Sequence, residues 1–201
     1  MQTLYNRLPR SVHVEGKKYR LNLSYDVVLT CLDIQQDQAV PDYLKIPFMA
    51  EKLIRHGTKL PIELQAKIVA AVFKDCIYCT ARKGKPSQTK TFDFKCDTDL
   101  IYASFCQAYG IDLIKKQGRL HWWKFYSLFA GLPKDTIMRE VMSIRAREIP
   151  QPTKYNHAEI MALQEAKQYW ALPGAALNAQ SYQDGLQSLW TTLERQAQKH
   201  V

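Results

Sequence analysis

Apolar residues recur every three or four positions along almost the whole chain from Ser24 onward, the spacing of one face of an α-helix. Strand-like alternation of apolar and polar residues occurs around residues 12–21, on both sides of the Glu15-Gly16 pair. Because glycine adopts positive φ readily, this segment predicts a β-hairpin at about residues 11–22. The fold class is therefore mainly α, with helices from residue 24 onward and a small N-terminal β-hairpin that must pack against them.

The 201 residues suit one ordinary domain with an appendage. We predict a helical domain over residues 1–174 and a C-terminal amphipathic add-on helix within residues 175–201, where Leu186, Leu189, Trp190 and Leu193 have helical spacing. Capping residues, glycines and prolines predict helices over about residues 24–37, 42–56, 61–82, 97–110, 120–130, 133–147, 156–170 and 180–200. A short edge strand is expected at residues 91–94.

The formal net charge of +9 is unevenly distributed. From Pro150 onward there are four basic and four acidic side chains, whereas the preceding residues carry 24 basic and 15 acidic ones. A basic body indicates an acidic partner, which is either nucleic acid or an acidic protein surface. The net charge does not distinguish the two.

Targeting and redox signals are those of a protein that stays in the cytoplasm. No run approaches the roughly 20 apolar residues that cross a bilayer, so no membrane association is expected. The first ten residues lack the apolar region of a signal peptide. Five cysteines at irregular spacing are expected to be reduced thiols, most of them buried.

No constellation of residues indicates catalysis, and we expect no enzyme activity, no cofactor and no metal. The Cys76-x-x-Cys79 pair lies within a predicted helix, and its downstream cysteines are not arranged as a second zinc knuckle. Asp97 and Asp99 are expected to cap the helix that starts there, as acidic residues at helix N-termini commonly do. The histidines show no metal-ligand spacing, and phosphate-binding and nucleophile motifs are missing from the sequence.

The densest feature is the aromatic stretch from His121 to Phe129. Its helical spacing puts one set of rings on a single face, and we predict that this set forms the core together with two residues of the helix that follows Asp97. The predicted core residues are Ile101, Phe105, Trp122, Phe125 and Phe129. Rings on the neighbouring face, flanked by cations, are suited to anchor a protein partner or to stack on nucleic-acid bases. The predicted partner-binding residues are Arg119, Trp123, Lys124, Tyr126 and, in the add-on helix, Trp190.

Two segments carry a family resemblance. Residues 94–113 read F-K-C-D-T-D-L-I-Y-A-S-F-C-Q-A-Y-G-I-D-L, and L-H-W-W-K-F follows at residues 120–125. The helix at 137–147 and K-Q-Y-W-A-L-P at residues 167–173 extend the pattern. Together they resemble the family of siphophage proteins named after gene product fifteen of a Gram-positive siphophage, over about residues 8–174.

This resemblance implies a tail-assembly chaperone encoded beside the tape-measure gene and acting in the cytoplasm of the infected bacterial host. Its implied partners are the tape-measure protein, which it would bind, and the tail-tube protein, whose subunits it would help to recruit. Members of the family often have an acidic first half, whereas this chain is basic there. Residues 175–201 lie outside the pattern and could pack on the body, self-associate or contact the tail-tube protein. The alternatives are a basic nucleic-acid-binding phage protein and a minor structural component of the virion.

Overall fold

The structure, a computed structural model, describes residues 5–78, 90–153 and 155–173. These form two compact units, one containing residues 5–78 and 114–130 and the other containing residues 90–113, 131–153 and 155–173. The described residues contain seven α-helices, which are α1 Tyr25–Gln36, α2 Asp42–Leu53, α3 Ile62–Val72, α4 Thr98–Tyr109, α5 Trp122–Ala130, α6 Ile137–Ala146 and α7 His157–Tyr169. With the hairpin described next, they confirm a mainly α fold. The add-on helix predicted within residues 175–201 lies outside the described residues.

The first unit begins with the predicted hairpin, in which β1 Ser11–Val14 pairs antiparallel with β2 Lys17–Arg20. Its turn uses positive φ at Glu15 (50°) and Gly16 (75°). Val12 is buried opposite Tyr19, and β1 packs against α3. One face of the hairpin therefore covers the helices, as a two-stranded sheet requires for stability.

Three helices, α1 to α3, pack in sequence order behind the hairpin, and α5 packs against α1. Val28 of α1, Met49 of α2 and Ile68 of α3 are fully buried. α2 continues through Pro47, which neither ends nor delays it. α3 is followed by a π-helical turn, Phe73–Ile77, that contacts α5. Helices that bury such apolar stripes gain most of their stability from this packing.

Two helix boundaries differ from the prediction because extended residues form β-bridges to the segment that follows β2. α2 ends at Leu53 instead of His56, since Ile54 is extended (φ −112°, ψ 125°) and pairs with Leu21. α5 begins at Trp122 instead of Leu120, since His121 pairs with Ser24. In both cases tertiary pairing overrides the local helical pattern.

The second unit consists of α4, α6 and α7, with α6 contacting both of the others. α4 ends at Gly110, which adopts the left-handed conformation expected of a terminating glycine (φ 61°). α6 starts at Ile137, later than predicted, because Thr136 Oγ1 bonds to Pro133 O at 2.7 Å in a preceding turn. The amide of Met138 then donates to the buried Ser104 Oγ of α4 at 3.1 Å, which supplies a partner for a free amide at the helix start.

A buried ion pair joins the elements of this unit. Arg145 of α6 bonds to both carboxylate oxygens of Asp97, at 2.7 and 2.8 Å, and its Nε donates to Trp170 O at 2.7 Å. Asp97 occupies the N-cap position of α4 but makes no side-chain capping bond there, so the predicted capping role was wrong. Its carboxylate instead neutralises an arginine that follows it by 48 residues.

The strand expected at residues 91–94 does not form. Asp93 Oδ1 accepts the amides of Lys95 (2.8 Å) and Cys96 (2.9 Å), which folds this segment into a turn. Asp and Asn side chains commonly replace backbone partners in this way. Four described cysteines are free thiols, of which Cys31 and Cys76 are buried, as expected, whereas Cys96 is exposed and Cys106 is half-buried.

The ion pair generates a stability prediction. Arg145→Ala leaves the buried Asp97 carboxylate without its partner, which costs about 3–5 kcal/mol for ion pairs of this kind. We expect a loss of this size in the free energy of unfolding measured by urea denaturation. Arg147→Ala, which removes an exposed arginine nearby in the sequence, is the control and should change stability little. Equal losses in both variants would contradict the structural role of the pair.

A second prediction concerns Gly57, which is buried after α2. A Cβ at this position would lie 2.3 Å from the backbone oxygen of Ala50. Because the obstructing atom is backbone, we expect Gly57→Ala to lower the free energy of unfolding by about 1–3 kcal/mol, as overpacking does. Thermal denaturation beside Thr58→Ala, a change at an exposed neighbour, would test this, and an unchanged midpoint for Gly57→Ala would contradict it.

Candidate partner-binding surface

The start of α5 is fixed by backbone hydrogen bonds to the segment that connects the hairpin with α1. Trp122 N donates to Leu23 O at 2.7 Å, and Tyr25 N donates to Leu120 O at 2.9 Å. These two hydrogen bonds give partners to backbone amide and carbonyl groups of both segments in the interior. This pairing sets the rotation of α5 and so decides which of its residues face solvent.

His121 reinforces that position through both of its ring nitrogens. Nδ1 accepts the amide of Trp123 at 3.1 Å, and Nε2 lies 3.0 Å from Pro9 O. Because Nδ1 accepts, the ring is assigned as the neutral tautomer whose Nε2–H donates to Pro9. Burial lowers the pKa of His121, the Pro9 bond opposes that effect, and the charges of Arg10 and Lys124 lower the pKa further.

The inward face of α5 is aromatic and belongs to the core of the first unit. Trp122, Phe125 and Phe129 are each less than 5% exposed. Phe125 stacks on Tyr25 of α1 with the ring centroids 4.8 Å apart. In the second unit, the other two predicted core residues, Ile101 and Phe105, are also buried. All five predicted core residues are therefore inaccessible to a partner.

Three of the five residues predicted to bind a partner lie on α5, and a fourth, Arg119, lies in the turn before it. Lys124 and Arg119 are exposed, while Trp123 and Tyr126 are half-buried. Tyr126 contacts the ring of Trp122 (centroids 5.6 Å apart), whereas the Trp123 side chain has no hydrogen bond or ring partner among the described residues. The fifth residue, Trp190, lies outside the described residues. Four of the candidates, all within residues 119–126, are therefore at least partly exposed.

The electrostatics of the first unit are strongly positive. Its described residues carry 15 basic and eight acidic side chains, a net charge of +7. Residues 114–130 contribute four of the cations and none of the acids. The described residues of the second unit have seven basic and nine acidic side chains, a net of −2. The positive charge identified in the sequence is therefore concentrated in the unit that contains α5.

Sequence reasoning missed a second basic feature, on the solvent face of the hairpin. Leu21 pairs with Ile54, and Arg55 N donates to Arg20 O at 3.1 Å, so that Arg20 and Arg55 lie opposite each other. Both were counted among the basic residues, but 35 positions separate them, and no local pattern in the sequence indicates the pairing.

No group of three or more His, Cys, Asp and Glu side chains that could hold a metal ion occurs within residues 5–78, 90–153 and 155–173. Burial raises the pKa of the Cys31 thiol to about 12. A thiol with so high a pKa is a poor nucleophile near neutral pH. None of the described helices is long and apolar enough to cross a bilayer.

Fold and surface together define a small, mainly helical protein whose first unit is strongly basic. The model of the Bacteriophage Gp15 protein family matches residues 4–172. The chain therefore belongs to this family and is a bacteriophage protein, which confirms the resemblance seen in the sequence. No curated protein and no solved structure matches the chain.

His121 makes stability depend on pH. Its pKa is lowered in the folded state, so the unfolded chain takes up the proton first as the pH falls below about 6.5. The contribution of the neutral ring to stability is therefore complete above that pH and decreases as the pH falls towards the folded-state pKa. We expect His121→Asn, which keeps an acceptor for the Trp123 amide, to lose less unfolding free energy than the wild type between about pH 7.5 and pH 5.

His13→Asn is the matched control, because His13 is an exposed histidine on β1. Urea denaturation at both pH values should give the same pH-dependent loss in this variant as in the wild type. An unaltered loss in His121→Asn would contradict the assigned tautomer and its capping bond.

Proposed function

We propose that this phage protein is a tail-assembly chaperone, which binds the tape-measure protein and helps to recruit tail-tube subunits during tail morphogenesis. It acts in the cytoplasm of the infected host by binding, without enzymatic chemistry. The two segments that carry the family resemblance, residues 94–113 and 120–125, both lie inside the matched range and support this assignment.

The observation that carries the proposal is the outward face of α5. Trp123 is a large apolar side chain that is only half-buried, and two exposed cations lie close to it in the sequence, Lys124 directly after it and Arg119 four residues before it. Neither of these two cations forms an ion pair with another described residue. Tryptophan and arginine are the residue types most enriched among side chains that dominate protein–protein binding energy. Such a face suits a long helical partner that offers both apolar and acidic side chains.

A nucleic-acid-binding function is the second candidate, and the net charge of +7 on the first unit favours it. Sequence-independent binding of single strands uses aromatic rings that are open to stacking. Three rings of α5, those of Trp122, Phe125 and Phe129, are buried in the core and do not offer such faces. On α5, the half-buried rings of Trp123 and Tyr126 are what remains for stacking.

Co-expression with the tape-measure protein of the same phage tests the proposal. We expect the wild-type chain to keep the tape-measure protein in the soluble fraction and to co-purify with it after nuclease treatment. Trp123→Ala should reduce the recovered complex about tenfold or more, the size of effect typical of a dominant interface side chain (about 2 kcal/mol).

Tyr155→Ala is the matched control, because it removes an aromatic side chain that is 96% exposed in the second unit. Its complex should be recovered like that of the wild type. Failure of the wild-type chain to bind or solubilise the tape-measure protein would refute the proposal. Recovery of nucleic acid instead, in amounts that fall steeply with salt, would establish the second candidate.

A further inference from the structure

A row of basic side chains lies on the solvent face of the hairpin. Residues on paired strands that stand opposite each other point to the same side of the sheet. Ser11 stands opposite Arg20, and His13 stands opposite Lys18. The backbone pairing of Leu21 with Ile54 adds Arg55 beside Arg20 on this side. We call Arg20, Arg55, Lys18 and His13 the hairpin basic face, and all four are exposed.

The arrangement of Arg20 and Arg55 is unfavourable for the isolated chain. Like charges directly opposite each other on neighbouring strands destabilise a sheet. Among the described residues, no acidic side chain forms an ion pair with Arg20, Arg55 or Lys18. Glu15, at the hairpin turn, is paired with Lys67 of α3 instead. The hairpin basic face therefore holds neighbouring cations that have no acidic partner among the described residues.

The side chains on this face favour carboxylates over nucleic-acid bases. Arginine presents a planar fork of donors that matches a carboxylate with two parallel hydrogen bonds. Tyr19, the aromatic residue of β2, alternates to the opposite face with Val12 and is half-buried there. Among the described residues, the hairpin basic face thus carries no Phe, Tyr or Trp side chain, and its one ring is the small imidazole of His13, although stacking on aromatic side chains is what holds single strands in sequence-tolerant sites.

We propose that the hairpin basic face binds an acidic segment of a protein partner, with Arg20 and Arg55 together holding neighbouring carboxylates. The inference rests on the proposed chaperone function for its choice of a protein partner. It adds a second contact region, formed by the hairpin and Arg55, which lies two residues after the end of α2, to the outward face of α5. It also states the chemistry of the partner at this position, which is a run of aspartate or glutamate side chains.

The first test uses a fluorescein-labelled helical peptide with glutamates four residues apart, and a matched peptide with glutamine at those positions. Anisotropy titrations of the full chain should show binding of the glutamate peptide and none of the glutamine peptide. R20Q/R55Q should weaken binding about tenfold or more, because it removes the charge-assisted hydrogen bonds from both arginines to the carboxylates. Glutamine at both positions removes the charges and keeps hydrogen-bonding side chains.

K17Q/K74Q is the matched control, since it removes two exposed cations of the first unit that are not on the hairpin basic face. It lowers the net charge by the same two units and should retain binding within about twofold. An equal loss in both double variants would overturn the proposal, because binding would then follow net charge alone. Binding of a poly-dT oligonucleotide that exceeds that of the glutamate peptide and depends on Arg20 and Arg55 would also overturn it.

The stability of the free protein towards urea tests the repulsion between Arg20 and Arg55 without the partner. If Arg20 and Arg55 repel each other, R20Q/R55Q should raise the urea midpoint at low salt, and about 1 M salt should remove the gain through screening. K17Q/K74Q should show no comparable gain. A salt-independent loss of stability in R20Q/R55Q would show that the two arginines support the fold, and it would overturn the proposal.

Co-expression with the tape-measure protein separates this inference from the proposed function. If R20Q/R55Q still solubilises the tape-measure protein and neither double variant affects the peptide, the hairpin basic face is not a binding site and the chaperone function stands. If the wild-type chain binds no tape-measure protein, the proposed function fails whatever the peptide shows.

Discussion

The first unit depends on one short extended segment, residues 21–24, which connects the hairpin to α1. On one side its backbone bonds to the end of α2, through Asn22 N and Leu53 O at 2.8 Å. On the other side it bonds to the start of α5, through Trp122 N and Leu23 O at 2.7 Å. Elements that are distant in sequence are thus joined through backbone groups, which must be paired when they are buried. Leu23 and Ser24 are themselves buried, so an error in this pairing would leave polar groups unsatisfied in the interior.

The same segment produces both candidate contact regions. Pairing with residues 53–55 places Arg55 opposite Arg20, and pairing with residues 120–122 rotates α5 so that Trp123 and Lys124 face outward. His121 connects α5 with the hairpin, because one of its ring nitrogens caps α5 and the other bonds to Pro9, next to the start of the hairpin. The positions of both candidate contact regions therefore follow from the backbone pairing of this one segment.

Local patterns in the sequence were sufficient for the helices, because the apolar faces of α1 and α5 repeat within single turns. The hairpin was also predictable, since the Glu15-Gly16 pair supplies the positive φ values that its turn needs. Prediction failed where a partner far along the chain decides the outcome. Asp97 has the sequence position of a cap, but its carboxylate binds Arg145, which is far along the chain. The helical pattern of α2 continues to His56, because nothing near Ile54 in the sequence indicates a bridge to Leu21. The pairing of Arg20 with Arg55 has the same long-range origin.

The arginine side chains of this protein occupy two contrasting environments, and the contrast helps to separate structural from binding roles. Arg145 is 9% exposed and has a carboxylate and two backbone carbonyls as acceptors, so its charge is compensated within the second unit. Arg20 and Arg55 are exposed and face each other without an acidic partner among the described residues. Folding alone gives no reason for the second arrangement, because like charges at opposed positions reduce stability. The carboxylate-bearing partner proposed for the hairpin would supply that reason, since its negative charges would offset the repulsion between the two arginines in the complex.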